Sequence, residues 1–308
     1  MFARINTNRL GIIFWGGVLC SMLLLGANNI VAGNTGAYKQ QFANATINWF
    51  DYTISAAGKG ELPRMEMKWD KAEKIATRKA MMRSRYNLLQ ALKKLRIERE
   101  LLVGELFREH KDLAADIRGK IHNSRITKKS VKNNQFVQVV TEIEIDSGFS
   151  RQLIPSGVWY TDGGDFLDKS ETKQKVRNEN NKDNYTGIIV DARNLPAKPA
   201  LIFRLYDQEG KVVYGPAIVE RHFALDQGMA IYVSNKSAAR ETARVGKNPL
   251  VLRAIEAVEN ATCDLVLPSG EAGKLQRVNT RTDLLNESRL AIILKPENND
   301  GLVEYTLQ

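Results

Sequence analysis

The sequence predicts an α+β protein of two domains, each with helices packed on a mainly antiparallel sheet. Three observations carry that prediction. The stretch Tyr185–Gly215 (YTGIIVDARNLPAKPALIFRLYDQEGKVVYG) sets short β-branched runs between turn formers. Met67–Arg99 is a long run of alanines and straight-chain residues, which favours helix. Arg125–Val131 and Gln135–Ile145 flank Asn133-Asn134 as the arms of a hairpin do.

Taken in order, the chain opens with Arg4 and Arg9, an apolar run Leu10–Ala27, and the small residues Val31-Ala32-Gly33. That is the pattern of a secretory signal cleaved after Gly33. An uncleaved membrane anchor competes, because no charge falls between Arg9 and Lys39 and that length spans a bilayer. Asn28, Asn29 and Asn34 interrupt its second half and favour cleavage. A lipoprotein signal would want a small residue before Cys20 and Leu three before it; Leu19 and Gly17 stand there instead. The chain then divides into a signal at 1–33, a disordered mature N-terminus at 34–45, a first α+β domain at 46–150, a polar linker at 151–184 and a second α+β domain at 185–308.

In the first domain, Thr46–Gly60 reads as one strand through Ile47, Trp49, Phe50, Tyr52 and Ile54. Gly58-Lys59-Gly60 reads as a turn at its end. It is not a dinucleotide loop, because Pro63 takes the place of the third glycine, and no Gly-Lys-Ser/Thr follows for a P-loop. The helix at Met67–Arg99 puts Trp69, Ala72, Ala76 and Ala80 on an apolar face. Lys71, Lys74, Arg78 and Arg85 lie on another. Between Lys68 and Arg99 eleven basic residues meet three acidic ones, an excess of +8 against +10 for the whole chain. The cations are therefore concentrated on one element, and those four are the candidate site for an anionic partner. Leu106–Ile121 is a second helix, and the hairpin around Asn133-Asn134 completes the domain.

In the second domain Ile188–Asp191 is a strand, and Leu201–Tyr206 with Lys211–Tyr214 form a hairpin across a turn at Asp207–Gly210. Strands follow at Met229–Val233, Pro249–Ala257, Asp264–Leu267 and Arg289–Leu294. A short helix lies near Ser237–Ala243, and Ser269 can cap another from Glu271.

Chemistry is sparse. His110 has no second histidine four residues away, so the zinc-protease motif is absent, and His122 and His222 also read as structural. No Gly-x-Ser-x-Gly elbow occurs. Asp162, Asp165, Asp168 and Glu171 gather carboxylates, but not at the spacing of an EF-hand. No catalytic residue, metal or cofactor is expected. Removal of the signal leaves Cys263 as the single cysteine, so the mature chain has no internal disulfide. Its setting, ATCDLVL, reads as a buried strand. Export without disulfides fits a bacterial periplasm.

Four stretches carry a resemblance: YTGIIVDARNL, ALIFRLYDQEGKVVYG, ARVGKNPLVLRA and DLVLPSGEAGKL. They look like the C-terminal part of bacterial envelope proteins. Those proteins carry a domain similar to the small twenty-kilodalton lipoprotein family and to the N-terminal domain of flagellar assembly protein T. The segment GKGELPRMEMKWDKAEKIATRKAMMRSRYNLLQALKKL resembles that domain itself. The resemblance implies a non-catalytic, exported envelope protein, an assembly or interaction module near the flagellar base or outer membrane. Its partners would be other envelope proteins or anionic envelope polymers, with peripheral membrane association compatible and nucleic acid disfavoured by the compartment. A wall-active hydrolase with a dispersed site, and a purely structural component, are the alternatives.

Overall fold

A computed structural model of the protein describes residues 36–63, 68–160, 184–259 and 262–297. The signal expected at 1–33, the acidic residues at 162–171 and residues 161–183 of the expected linker lie outside the described residues.

The first half runs β1 (Lys39–Phe42), β2 (Ala45–Asn48), β3 (Thr53–Glu61), α1 (Trp69–Lys93), β4 (Arg96–Glu98), β5 (Leu101–Leu102), α2 (Val103–Glu109), α3 (Lys111–His122), β6 (Arg125–Lys132), β7 (Phe136–Glu144) and α4 (Ser147–Leu153). Five of these strands form an antiparallel sheet in the order β1-β2-β3-β7-β6. Asn133 and Asn134 both take positive φ, 49° and 52°, as the two central residues of a type I′ hairpin must. The residues expected to be disordered include β1, which is paired along its length with β2. Thr46–Gly60 is not one strand but β2 and β3. Its apolar alternation continues through a turn that polar groups close. Asp51 accepts from Thr53 N and Oγ1 and from the Asn48 amide, while Tyr52 sits at φ 55°. The expected second helix breaks at His110 into α2 and α3.

The second half runs β8 (Gly187–Asp191), β9 (Leu205–Tyr206), β10 (Val212–Tyr214), α5 (Arg221–Gln227), β11 (Ile231–Val233), α6 (Lys236–Arg240), β12 (Pro249–Arg253), β13 (Glu256–Ala257), β14 (Leu265–Val266), α7 (Ser269–Arg281) and β15 (Leu290–Ile293). The α+β character holds, with helices and sheets in both halves. The central sheet here, β11-β15-β8-β12, is however parallel at every pairing, not antiparallel. Parallel neighbours need crossovers, and α5, α6 and α7 lie in the connections. Such strands are covered on both faces and lose polar alternation, which Ile188-Ile189-Val190, all fully buried, display. The β9–β10 hairpin is present, shorter than expected, with Gly210 at φ 80°. Leu201 and Ile202 instead give their backbone N–H groups to the first half: Leu201 N bonds Arg96 O at 3.1 Å and Ile202 N bonds Ile97 O at 2.7 Å.

The two sheets share one core. A single apolar cluster runs from Tyr38 through Leu294, and Trp49, Tyr232 and Phe203 form an edge-to-face series with centroid spacings of 5.6 and 6.2 Å. Tyr38 N donates to Tyr232 O and Ser234 N to Gly36 O, so the chain before β1 borders β11. Residues 151–160, expected to open a polar linker, bury Leu153, Ile154, Val158 and Trp159 in this core. Their apolar side chains decide the outcome, and α4 packs against α5.

Candidate functional site

The first half is built around the contact of α1 with β3. The helix turns Ala72, Ala76, Ala80 and Ser84 toward the sheet, and the strand answers with Gly58 and Gly60. Gly58-Lys59-Gly60 is therefore not a turn. It lies within β3, where the missing side chains let helix backbone approach strand backbone. Polar bonds fix the register. The Ser84 hydroxyl donates to Ala56 O at 2.8 Å and accepts from Thr141 N at 3.1 Å, and the Asn87 amide donates to Ala57 O at 2.7 Å.

With that face fixed, i, i+4 rows assign the rest of the helix. Lys74, Arg78, Met82 and Tyr86 form the outward row. Lys71, Lys79, Arg83 and Asn87 form one flank, and Glu73, Thr77 and Arg85 the other. The four candidate residues are thus not one stripe. Lys71, Lys74 and Arg78 are exposed; Arg85 is half-buried, with its Nε buried and without a hydrogen-bond partner among the described residues. Trp69, expected on the apolar face, is 46% exposed. It belongs to the Glu73 flank, where Glu73 pairs with Lys129 of β6 at 2.7 Å. That bond and the neighbouring charge hold the Glu73 carboxyl below its ordinary range.

The sequence reading missed the flank cations Lys79 and Arg83, which with Asn87 overhang a groove of about 1620 Å³ beside β3. It also missed the apolar part of the outward face. Met82 is 66% and Tyr86 54% exposed, and the Arg83 guanidinium lies 5.8 Å from the Tyr86 ring centroid. The i, i+4 drift of the alanine row was the available signal: continued to Leu88 and Leu92, it turns Met82 and Tyr86 outward.

A second concavity of about 210 Å³ lies between the halves, lined by Tyr52, Glu144, Asp226, Gly228 and Arg244 among others. The Arg244 guanidinium donates to Ser288 O at 2.7 Å, to Gln227 O at 2.5 Å, and to Gly228 O and the Ser288 hydroxyl. It braces the turn after α5, and burial draws its pKa below the usual value. The carboxylates at this rim are Asp51, Glu144 and Asp226, all exposed.

A third polar cluster joins β4 to β9 and β14. Arg204 Nη1 meets Glu98 at 3.2 Å, and Arg204 N donates to Asp264 Oδ1 at 2.8 Å. Arg99 N donates to the Cys263 sulfur at 3.1 Å. Burial, followed by the Asp264 charge, pushes the Cys263 thiol up to about 12. His110 and His122 stand at helix ends, and His222 stacks on Phe223 near Glu220. Among the described residues no three His, Cys, Asp or Glu side chains converge as metal ligands, and no helix is long and apolar enough to cross a membrane.

Residues 187–296 match the family described as Treponema pallidum Tp0624, second domain. The match covers about a third of the chain and contains the parallel sheet from β8 to β15. No curated protein matches the chain.

Proposed function

We propose that the protein is a non-catalytic, exported envelope module that docks on an anionic surface through the outward face of α1. One observation carries the reading. A merely solvated helix face is polar, yet here Lys74 and Arg78 continue directly into exposed Met82 and Tyr86, with Trp69 exposed at the helix start. Cations beside exposed apolar and aromatic groups suit an interface that is anionic and partly apolar, as a phospholipid headgroup layer is. The concentration of the chain's positive excess between Lys68 and Arg99 supports it, as does the resemblance to envelope assembly proteins. The compartment is the periplasm or the outer envelope, reached through a cleaved signal at 1–33.

The test is sedimentation with vesicles of anionic and of zwitterionic lipid, and with cell-wall sacculi, at low and high salt. The reading expects salt-sensitive binding to anionic vesicles that Lys71→Gln/Lys74→Gln/Arg78→Gln removes and Met82→Ser/Tyr86→Ser weakens, with folding kept. Equal binding by wild type and the triple variant reduces the face to solvated charge.

The exposed carboxylates at the rim of the 210 Å³ concavity favour the second reading, a wall-active hydrolase. Release of soluble fragments from sacculi by wild type, lost on Glu144→Gln or Asp226→Asn, would select it.

A further inference from the structure

β3 is paired along its whole length on one side and along half of it on the other. Toward β7 the register is continuous from Thr53 opposite Glu144 to Glu61 opposite Phe136. Toward β2 it ends where Ala45 faces Ala56, with a last bond from Ala57 N to Asn44 O at 2.8 Å. In a regular antiparallel ladder alternate residues aim their backbone groups to opposite sides. Ala57 aims toward β2, so Lys59 and Glu61 aim the same way, while Leu62 N bonds Gln135 O on the β7 side. Among the described residues no strand lies beside Lys59 and Glu61, and their edge groups open into the 1620 Å³ groove.

The groove gives that edge a chemical character. The β1–β2 turn, Ala43-Asn44, closes one end, and Lys79 and Arg83, one helical turn apart, overhang one side. Lys59 stands on the opposite face of β3, and its Nζ, 4.1 Å from the Phe136 ring centroid, leans toward β7 and away from the open edge. An added strand would alternate its side chains between the α1 flank and the Lys59 face. Carboxylates on the α1 flank would meet Lys79 and Arg83; among the described residues the acids lining the groove are Asp51, Glu61 and Glu142. The same charges keep neutral strands off the edge, which is how open edges are ordinarily protected.

The geometry points to the β3 edge at Lys59–Glu61 as a strand-addition site for an extended acidic peptide segment, held by main-chain bonds and, on the α1 flank, by Lys79 and Arg83. This site is separate from the outward face of α1, and neither depends on the other.

The probe is a labelled decapeptide of alternating Glu and Val, with a second copy N-methylated at alternate residues, titrated into the purified protein and read by fluorescence anisotropy. Loss of one or two main-chain bonds should weaken binding about tenfold. The unmethylated peptide should bind and the methylated one should bind about tenfold more weakly. Lys59→Pro removes the outward N–H without touching the β7 ladder and should weaken binding likewise. Lys79→Glu/Arg83→Glu tests the charge even if the proline variant fails to fold. Lys274→Gln/Arg277→Gln, exposed on α7 of the second half, should bind like wild type. Absence of saturable binding, equal binding of the methylated peptide, unchanged binding by Lys79→Glu/Arg83→Glu, or loss in Lys274→Gln/Arg277→Gln would each overturn the site.

Discussion

A methyl group at Gly60 would lie 2.0 Å from the carbonyl oxygen of Ala76, so α1 rests directly on the backbone of β3. At Gly58 the clash would be with Ala80 O and Ser84 N, both at 2.2 Å. Backbone cannot step aside as a flexible side chain does. Gly60→Ala and Gly58→Ala should therefore each cost ~1–3 kcal/mol, the range of overpacked cores. Gly119 is the control, since in α3 a Cβ there meets nothing within 4 Å. Gly119→Ala should stabilise by up to ~1 kcal/mol. Urea unfolding of the three variants checks this, and a small effect at Gly60 would show that the helix can lift from the strand.

Arg85 differs from the three candidates grouped with it. Its Nε is buried without a hydrogen-bond partner among the described residues, whereas Lys71, Lys74 and Arg78 are exposed. A buried unpaired donor costs free energy that an apolar side chain of similar length does not. Arg85→Met should leave stability unchanged or raise it by up to ~1 kcal/mol, and should leave anionic-vesicle binding intact. Marked destabilisation in thermal melts would show that the guanidinium is fixed by groups not seen beside it.

Legibility followed how local each cause is. The Asn133-Asn134 turn was readable because positive φ at two successive residues is a local demand that few side chains meet. Ala72, Ala76 and Ala80 were readable because small residues at i, i+4 mark a close contact, although nothing local said what the partner was. Gly58 and Gly60 were misread because their role is an absence, filled by a helix far along the chain. The parallel sheet was misread because a short apolar run such as Ile188–Val190 does not carry the direction of its neighbours. Met82 and Tyr86 were legible only through the drift of the alanine row into Leu88 and Leu92, which turns them outward. The β3 edge depends on where β2 stops, which is a fact of pairing and not of composition.

Cys263 is expected to be unreactive in the folded protein. It is buried, and its thiol is raised to about 12. At mildly alkaline pH the thiolate fraction is then on the order of one in ten thousand, and the thiolate is the attacking species. In a Cys20→Ala background, labelling by a disulfide reagent should follow the opening of the fold, speeding in denaturant in step with unfolding. Complete labelling within seconds under native conditions would place Cys263 at the surface.

Asp264 makes stability depend on pH with an unusual sign. Burial raises its carboxyl pKa above the ordinary value, although Arg204 N bonds it at 2.8 Å and Arg99 Nε lies 3.5 Å away. The folded state therefore holds this proton more tightly than the unfolded chain does. Between the ordinary carboxylate pKa and the raised one, the folded state binds more protons, so stability contributed by this group falls as pH rises. Below both values the group adds no slope. Asp264→Asn keeps an oxygen to accept from Arg204 N and cannot ionise. The difference in unfolding free energy between the variant and wild type should be flat in strong acid and then grow in favour of Asn as pH climbs through that window. A difference that grows in favour of wild type would mean that the two arginines outweigh burial, and that the carboxylate is held charged.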